Sequence, residues 1–357
     1  MTSLVDRREV EKLLVLNAAL RAGLIDVLAE PRAQDAAAVA AAAGTDLRAT
    51  RIVLEALVEL GVADRLAASA AGVGADRQAA PGGTEVGLSG PRYRLNERGR
   101  RHLVHPGPEL ERSWLLHQAN KARGWLELPY VLEHGRPPVR ERRGHRDTRN
   151  FALTMAEGDP AIMDEVIDRC LEYLHPGRLE AGAGSPPDGA AREERRLRVL
   201  DVGGAVGHLA RRFADRGHAA TLFDRPEMLP VAREYLGEEA DVEMVGGDFL
   251  EELPTGPFDL AFLGNVYHIY GPRADAALTQ RAFACLASGG AIAIRDYVLD
   301  RSPRASLFAV NMLQATEEGG AWSERDFRGW LDQAGFVDIR VLDLEMVPNQ
   351  LILGTRP

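Results

Sequence analysis

The sequence predicts an α/β chain in which a doubly wound, mostly parallel sheet follows an N-terminal region that is helical apart from one hairpin. Three observations carry this. From Arg196 onward short apolar runs alternate with helix-length segments, the pattern of strand, crossover helix and parallel strand. Before Arg196 the apolar residues recur at the three- and four-residue spacing of amphipathic helices. The chain has 357 residues, more than one compact core usually takes, so two domains with a shared interface are expected.

The elements follow in order. From Val10 the residues Leu13, Leu14, Leu16, Leu20, Leu24, Ile25 and Leu28 mark helices, and Ala36 to Ala43 and Ala49 to Leu60 continue them. The segment Thr45 to Arg51 reads as a capped entry into the last of these, and Gly61 ends it in the left-handed conformation. A Gly, Ala and Pro-rich stretch, 67–91, precedes a short strand, Arg92 to Leu95. Two helices and a hairpin outline a winged-helix-like domain over 1–105, with 67–91 as an enlarged wing tip whose composition cannot bury a core. Residues 106–196 read as a helical connector: Trp114, Leu115, Trp125, Leu126, Leu128, Val131 and Leu132, then Phe151, Met155, Ile162, Met163, Val166, Ile167 and Leu171. The charged run 140–149 and the Gly and Pro-rich run 177–196 interrupt it. The run 140–149, with Arg140, Arg142, Arg143, Arg146 and Arg149 among Glu141 and Asp147, is expected to be a solvated loop; recognition of an anionic acceptor is the minority reading. The sheet domain occupies 197–357, with strands expected at Leu197 to Val202, Ala219 to Phe223, Val242 to Val245, Leu260 to Leu263, Ala291 to Ile294, Val337 to Leu342 and Gln350 to Leu353.

Composition excludes several classes. Apolar residues make up 45% of the chain and charged residues 27%, which rules out disordered and fibrous proteins. Basic residues number 43 and acidic ones 53, and the excess lies after residue 200, where 24 acids face 14 bases. The first 100 residues balance at 13 of each, and the candidate recognition helix pairs Arg48 and Arg51 with Glu55 and Glu59. Nucleic acid is therefore not the expected partner. The two cysteines, Cys170 and Cys285, stand far apart without a CxxC, so neither a disulfide framework nor a cysteine metal site is expected. The charged start of the chain and the lack of a long apolar stretch lead to the expectation of a soluble, cytoplasmic protein without membrane contact.

The chemistry concentrates at strand ends in the sheet domain. The first strand runs into Asp201-Val202-Gly203-Gly204-Ala205-Val206-Gly207, an acid followed at once by a glycine-rich turn that opens a helix. The second strand ends at Asp224, and Gly246-Gly247-Asp248-Phe249 closes the third. Glycines allow close backbone approach, and an acid at the second strand end can take both hydroxyls of a ribose. A diphosphate at the helix start would be repelled by Asp201, so three carboxylates at successive strand ends suit a cationic nucleoside instead.

These motifs, together with Gly23 to Leu28, Tyr93 to Gly99, Phe258-Asp259-Leu260, Asn265-Val266-Tyr267-His268 and Ala334-Gly335-Phe336, resemble the class I S-adenosylmethionine-dependent O-methyltransferases of plant phenylpropanoid and bacterial natural-product pathways. The resemblance runs over nearly the whole chain. It implies a winged-helix dimerisation domain joined to a Rossmann-like catalytic domain, a homodimer, and S-adenosyl-L-methionine as cofactor without a metal. By the same resemblance Asp201 and the backbone of Gly203, Gly204, Ala205 and Gly207 hold the methionine portion, Asp224 the ribose, and Asp248 with Phe249 the adenine. Arg225 and Asn265 border that site. The family usually has Gly where Ala205 stands, and a methyl group is accommodated there if φ is negative.

Methyl transfer to a hydroxyl needs alignment and removal of the acceptor proton. The resemblance implies His268 as the general base, although its context, His268-Ile269-Tyr270-Gly271, lacks the family's acidic neighbour. Asp296 matches the position that supplies the orienting carboxylate. Trp125, Phe151, Met155, Tyr297, Asn311, Met312 and Gln314 map near the acceptor pocket; taken alone, Phe151 and Met155 would read as helix-face core residues. Asn311 and Gln314 place amides where the family is often apolar, which favours a polar acceptor. The expected function is O-methylation of a hydroxyl, phenolic in kind, on a small secondary metabolite. The alternatives are C- or N-methylation, or non-methylating use of the cofactor, on the same scaffold; more remote is a metabolite-sensing winged-helix regulator.

Overall fold

The computed structural model describes residues 7–67, 90–106, 110–139, 149, 152–154, 160–175 and 196–357. The expected wing tip and the two inserts, apart from a few end residues, fall outside the described residues, as do Phe151 and Met155. The chain divides into two compact units, 1–120 and 121–357.

The first unit contains helices α1 (Arg7–Arg21), α2 (Leu24–Leu28), α3 (Ala36–Ala43), α4 (Leu47–Glu59) and α5 (Glu97–Leu103). Strands β1 (Gln34–Asp35), β2 (Ala63–Leu66) and β3 (Arg92–Leu95) form an antiparallel sheet in the order β1-β3-β2. Helix starts are capped by side chains: Asp35 accepts from the Ala38 amide, Asp46 from Ala49 and Asn96 from Gly99. Gly61 follows α4 with φ 71°. Leu16, Leu20, Ile25, Leu28, Val39, Leu54, Leu57, Tyr93 and Leu95 make the core. The Tyr93 hydroxyl donates to Glu55 at 2.6 Å, and burial together with that carboxylate pushes its pKa up to about 12. Val10 and Leu14 on α1 and Leu47 and Ile52 on α4 stay exposed.

Helix α6 (Arg112–Leu126) crosses the division, and α7 (Leu128–His134) and α8 (Pro160–Leu174) follow. The second unit is built on seven strands: β4 (Arg198–Val202), β5 (Ala219–Asp224), β6 (Val242–Gly246), β7 (Phe258–Gly264), β8 (Leu286–Asp296), β9 (Val337–Asp343) and β10 (Gln350–Thr355). Their order is β6-β5-β4-β7-β8-β10-β9, with β4 to β8 parallel and β10 antiparallel to both its neighbours. All seven expected strands are present, and β8 begins five residues earlier than its apolar run. Helices α9 (His208–Asp215), α10 (Leu229–Leu236), α11 (Pro272–Cys285), α12 (Ala305–Ala315) and α13 (Glu324–Ala334) complete the unit.

Side chains alternate across the sheet, so each face has its own core. Val199, Leu222, Phe262, Ala293 and Leu353 pack with Ile167 of α8 and Phe213 of α9. Val202, Ile294 and Ile352 pack with Leu278 of α11 and with Phe327, Trp330 and Leu331 of α13. Chain order reverses between β4 and β7. That is the switch point of a doubly wound sheet, and a ligand crevice opens there at the carboxyl ends of the strands.

Candidate active site

Asp201, Asp224 and the glycine turn meet at this switch point. The turn wraps the Asp201 carboxylate so closely that a Cβ at Gly204 would strike its Oδ2. Asp201 is buried, and the hydrogen bond its side chain accepts from the Ala210 amide is long at 3.3 Å. Burial, with the nearby Asp224 charge adding, raises its pKa to about 7. Such a carboxyl gains if a cation comes beside it. Asp224 is also buried; its Oδ2 accepts from the Ala205 amide at 2.8 Å and its Oδ1 from the Arg225 amide at 2.7 Å. Those bonds fix the carboxylate plane and leave one lone pair on each oxygen for a diol.

Ala205 requires a correction. Its φ is +53°, not negative, so an L-side chain sits in the left-handed region that favours glycine. Asn265 shares that backbone region, with φ +59°, and its amide donates to the Arg295 carbonyl. Arg225 is exposed and its side chain pairs with Glu227 at 3.5 Å. Asp248 caps its own turn by accepting from Leu250, and Phe249 is buried against the edge of Tyr270, centroids 5.7 Å apart. Tyr270 feels the charges of Asp248, Arg225 and Asp224. It therefore belongs to this cluster, although its sequence context carried no signal beyond the departure from the family's motif.

On the other side of the switch point, a 3₁₀ turn (Tyr267–Ile269) holds His268. Its Nδ1 lies 2.8 Å from Asp296 Oδ1, and Asp296 Oδ2 accepts from the His268 amide at 3.2 Å. The Tyr297 amide also donates to Asp296 at 2.8 Å. Asp296 is 1% exposed and His268 8%. With a carboxylate on Nδ1, the neutral imidazole carries its proton there and presents a lone pair at Nε2. The turn itself is clamped: Gly320 donates to the His268 carbonyl, a Cβ at Gly319 would collide with that carbonyl, and Trp322 Nε1 donates to the Tyr267 carbonyl at 3.1 Å.

Phe308 of α12 meets the His268 ring edge-on at 4.7 Å and Tyr297 at 4.3 Å. Sequence reasoning missed Phe308, one of several apolar residues on a helix. Asn311 Oδ1 accepts from Trp125 Nε1 at 3.2 Å and from Gln314 Nε2 at 3.1 Å. The two amides thus spend part of their bonding capacity on each other and on the indole. Met312 is buried on the same helix. Arg149 pairs with Glu234 at 2.6 Å. Among the described residues no group of three or more His, Cys, Asp and Glu is placed to hold a metal ion.

Comparison with known proteins places this geometry. Residues 194–337 match the O-methyltransferase domain family. The 8-O-methyltransferase TcmO of tetracenomycin polyketide synthesis in Streptomyces glaucescens is 33% identical over 189 residues, which are 50% of this chain and 55% of TcmO. The match to that relative therefore spans about half its length. Bovine acetylserotonin O-methyltransferase is 28% identical over 91% of this chain and 89% of its own. The human N-acetylserotonin methyltransferase crystallised with S-adenosylmethionine shares the fold, with a TM-score of 0.71 at 23% identity over 100% of this chain and 99% of that one.

Proposed function

We propose that the chain is an S-adenosylmethionine-dependent O-methyltransferase acting on a hydroxyl, phenolic in kind, of a small secondary metabolite, with His268 as general base. The observation that carries this is the buried pair of His268 and Asp296 at the carboxyl edge of the sheet, across the switch point from Asp201 and Asp224. The cleft suits the cofactor: Asp224 is poised for a ribose diol, Asp201 is an under-bonded acid suited to a cationic amino acid portion, and Phe249 with Tyr270 offers flat walls for adenine. When bound, S-adenosylmethionine supplies an activated methyl group on a sulfonium.

The chain's own residues do the rest. Asp296, locked by two backbone amides, holds the imidazole tautomer whose Nε2 accepts the acceptor's proton, and its charge stabilises the imidazolium that forms. Phe308 and Tyr297 wall the base and favour an aromatic acceptor. Winged-helix-like 1–105 serves as the dimerisation domain, 106–196 contributes to the acceptor pocket, and 197–357 binds the cofactor. Exposed Val10, Leu14, Leu47 and Ile52 support pairing of two copies through the first of these. Among the described residues no helix is long and apolar enough to cross a membrane. Methyl transfer from radiolabelled cofactor to a panel of hydroxylated aromatics tests the reading, and transfer only to amines or carbons would replace it.

A further inference from the structure

Arg295 is a half-buried cation with no ion-pair partner among the described residues. It ends β8 on the face where Ala291 and Ala293 pack against α8 and α9, opposite to the face of Asp296. Among the described residues its Nε has no hydrogen-bond partner, and its guanidinium makes a weak 3.9 Å approach of Nη1 to Met163 Sδ. Among the described residues no carboxylate lies within ion-pair distance of it. The acids whose charge reaches it are engaged elsewhere: Glu165 accepts from the Glu345 and Met346 amides, and Asp296 from His268 and Tyr297. Its remaining neighbour, His208 on the first turn of α9, is held neutral by burial and by Arg295 and Arg212, its pKa lowered to about 4. An unpaired, half-buried guanidinium is costly unless a partner arrives.

The strand register says where that partner lies. Asp201 is aligned with Leu222, Phe262 and Ala293 across β5, β7 and β8. Two residues further along β5, β7 and β8, on the same face, stand Asp224, Gly264 and Arg295. The span along the carboxyl edge runs from Asp224 at one end to Arg295 at the other, with Asp201 two residues back from it. Three strand spacings make it about 14 Å between backbones, the reach of a nucleoside bearing an amino acid chain once both terminal side chains lean inward. His208 opens α9 beside it.

We infer that Arg295 binds the α-carboxylate of the cofactor's amino acid portion, so that Asp224 and Arg295 grip its two ends while Asp201 faces the ammonium. This assignment rests on the cofactor reading above.

Calorimetry with S-adenosylhomocysteine and its decarboxylated analogue, which differ only in the carboxylate, tests it on wild type and R295M. The variant should bind S-adenosylhomocysteine about ten- to a hundredfold more weakly, the loss of a charge-assisted bond, and bind the decarboxylated analogue as wild type does. Without ligand, R295M should melt at or above the wild-type temperature, because an uncompensated charge is replaced by an apolar chain. An unchanged S-adenosylhomocysteine affinity overturns the assignment, and if 4-hydroxybenzoate binding weakens instead, the anion belongs to the acceptor. Equal loss for both nucleosides, or a lower melting temperature without ligand, makes Arg295 a structural residue and also overturns it. A wild-type chain that binds neither nucleoside removes the cofactor reading and this assignment with it.

Discussion

Replacing Ala205 with glycine should stabilise the chain rather than loosen it. Ala205 holds φ at +53°, and for an L-residue the left-handed region costs about 1–2 kcal/mol. Glycine removes that strain but gains more freedom in the unfolded chain, which offsets about 0.4–1 kcal/mol. The net gain is on the order of 0.5–1 kcal/mol. For a unit the size of 121–357 each kcal/mol moves the midpoint by about 2–4 °C, so the expected rise is about 1–4 °C. The amide of residue 205 still donates to Asp224, so cofactor affinity should hold or improve. Thermal unfolding at fixed protein concentration, with and without S-adenosylhomocysteine, measures both. Gly204→Ala is the counterpart, since its Cβ meets the Asp201 carboxylate, and it should lower both. A drop in melting temperature for Ala205→Gly would show that the left-handed backbone is not strained and refute the reasoning.

Asp224→Ala should weaken S-adenosylhomocysteine binding by roughly ten- to a hundredfold and leave acceptor affinity nearly unchanged; calorimetry decides, and unchanged affinity removes Asp224 from the site. Asp201 has a folded pKa of about 7, above that of an unfolded aspartate, so it contributes stability below about pH 4 that is lost as pH rises towards 7. Asp201→Asn should escape that loss, and urea midpoints compared at pH 4 and pH 8 should diverge in its favour by at most about 4 kcal/mol; parallel curves would mean the acid is not shifted. Leu14→Glu with Ile52→Glu should yield monomers by sedimentation, and a persistent dimer would place the interface elsewhere.

The sheet was legible because parallel strands covered on both faces read as apolar runs, and Leu260 to Leu263 and Ala291 to Ile294 are of that kind. The early part of β8 was not, since Ser288-Gly289-Gly290 has the composition of a turn and is held in the strand only by its neighbours. Likewise β1 is two residues that exist through pairing with β3. In the site, Asp201, Asp224 and His268 could be found because each follows a strand end with a local motif. Phe308, Tyr270 and Arg295 could not, because what distinguishes them is what folding brings to them. Asp275 is similar: on sequence it is a first-turn helix acid, yet it is fully buried, and burial with the Asp296 charge raises its pKa to about 9. The sign of φ at Ala205 was also beyond the sequence, since alanine by itself argues for a negative value.

The measurement that tests the central claim most directly is turnover of His268→Ala on a hydroxylated aromatic that the wild type methylates, with S-adenosylhomocysteine affinity measured alongside. General base catalysis of this kind contributes about 10² to 10⁴ in rate. The variant should lose that much while cofactor affinity stays intact, and Asp296→Asn should lose less. Near-normal turnover by His268→Ala would contradict the account and leave alignment alone to carry the transfer.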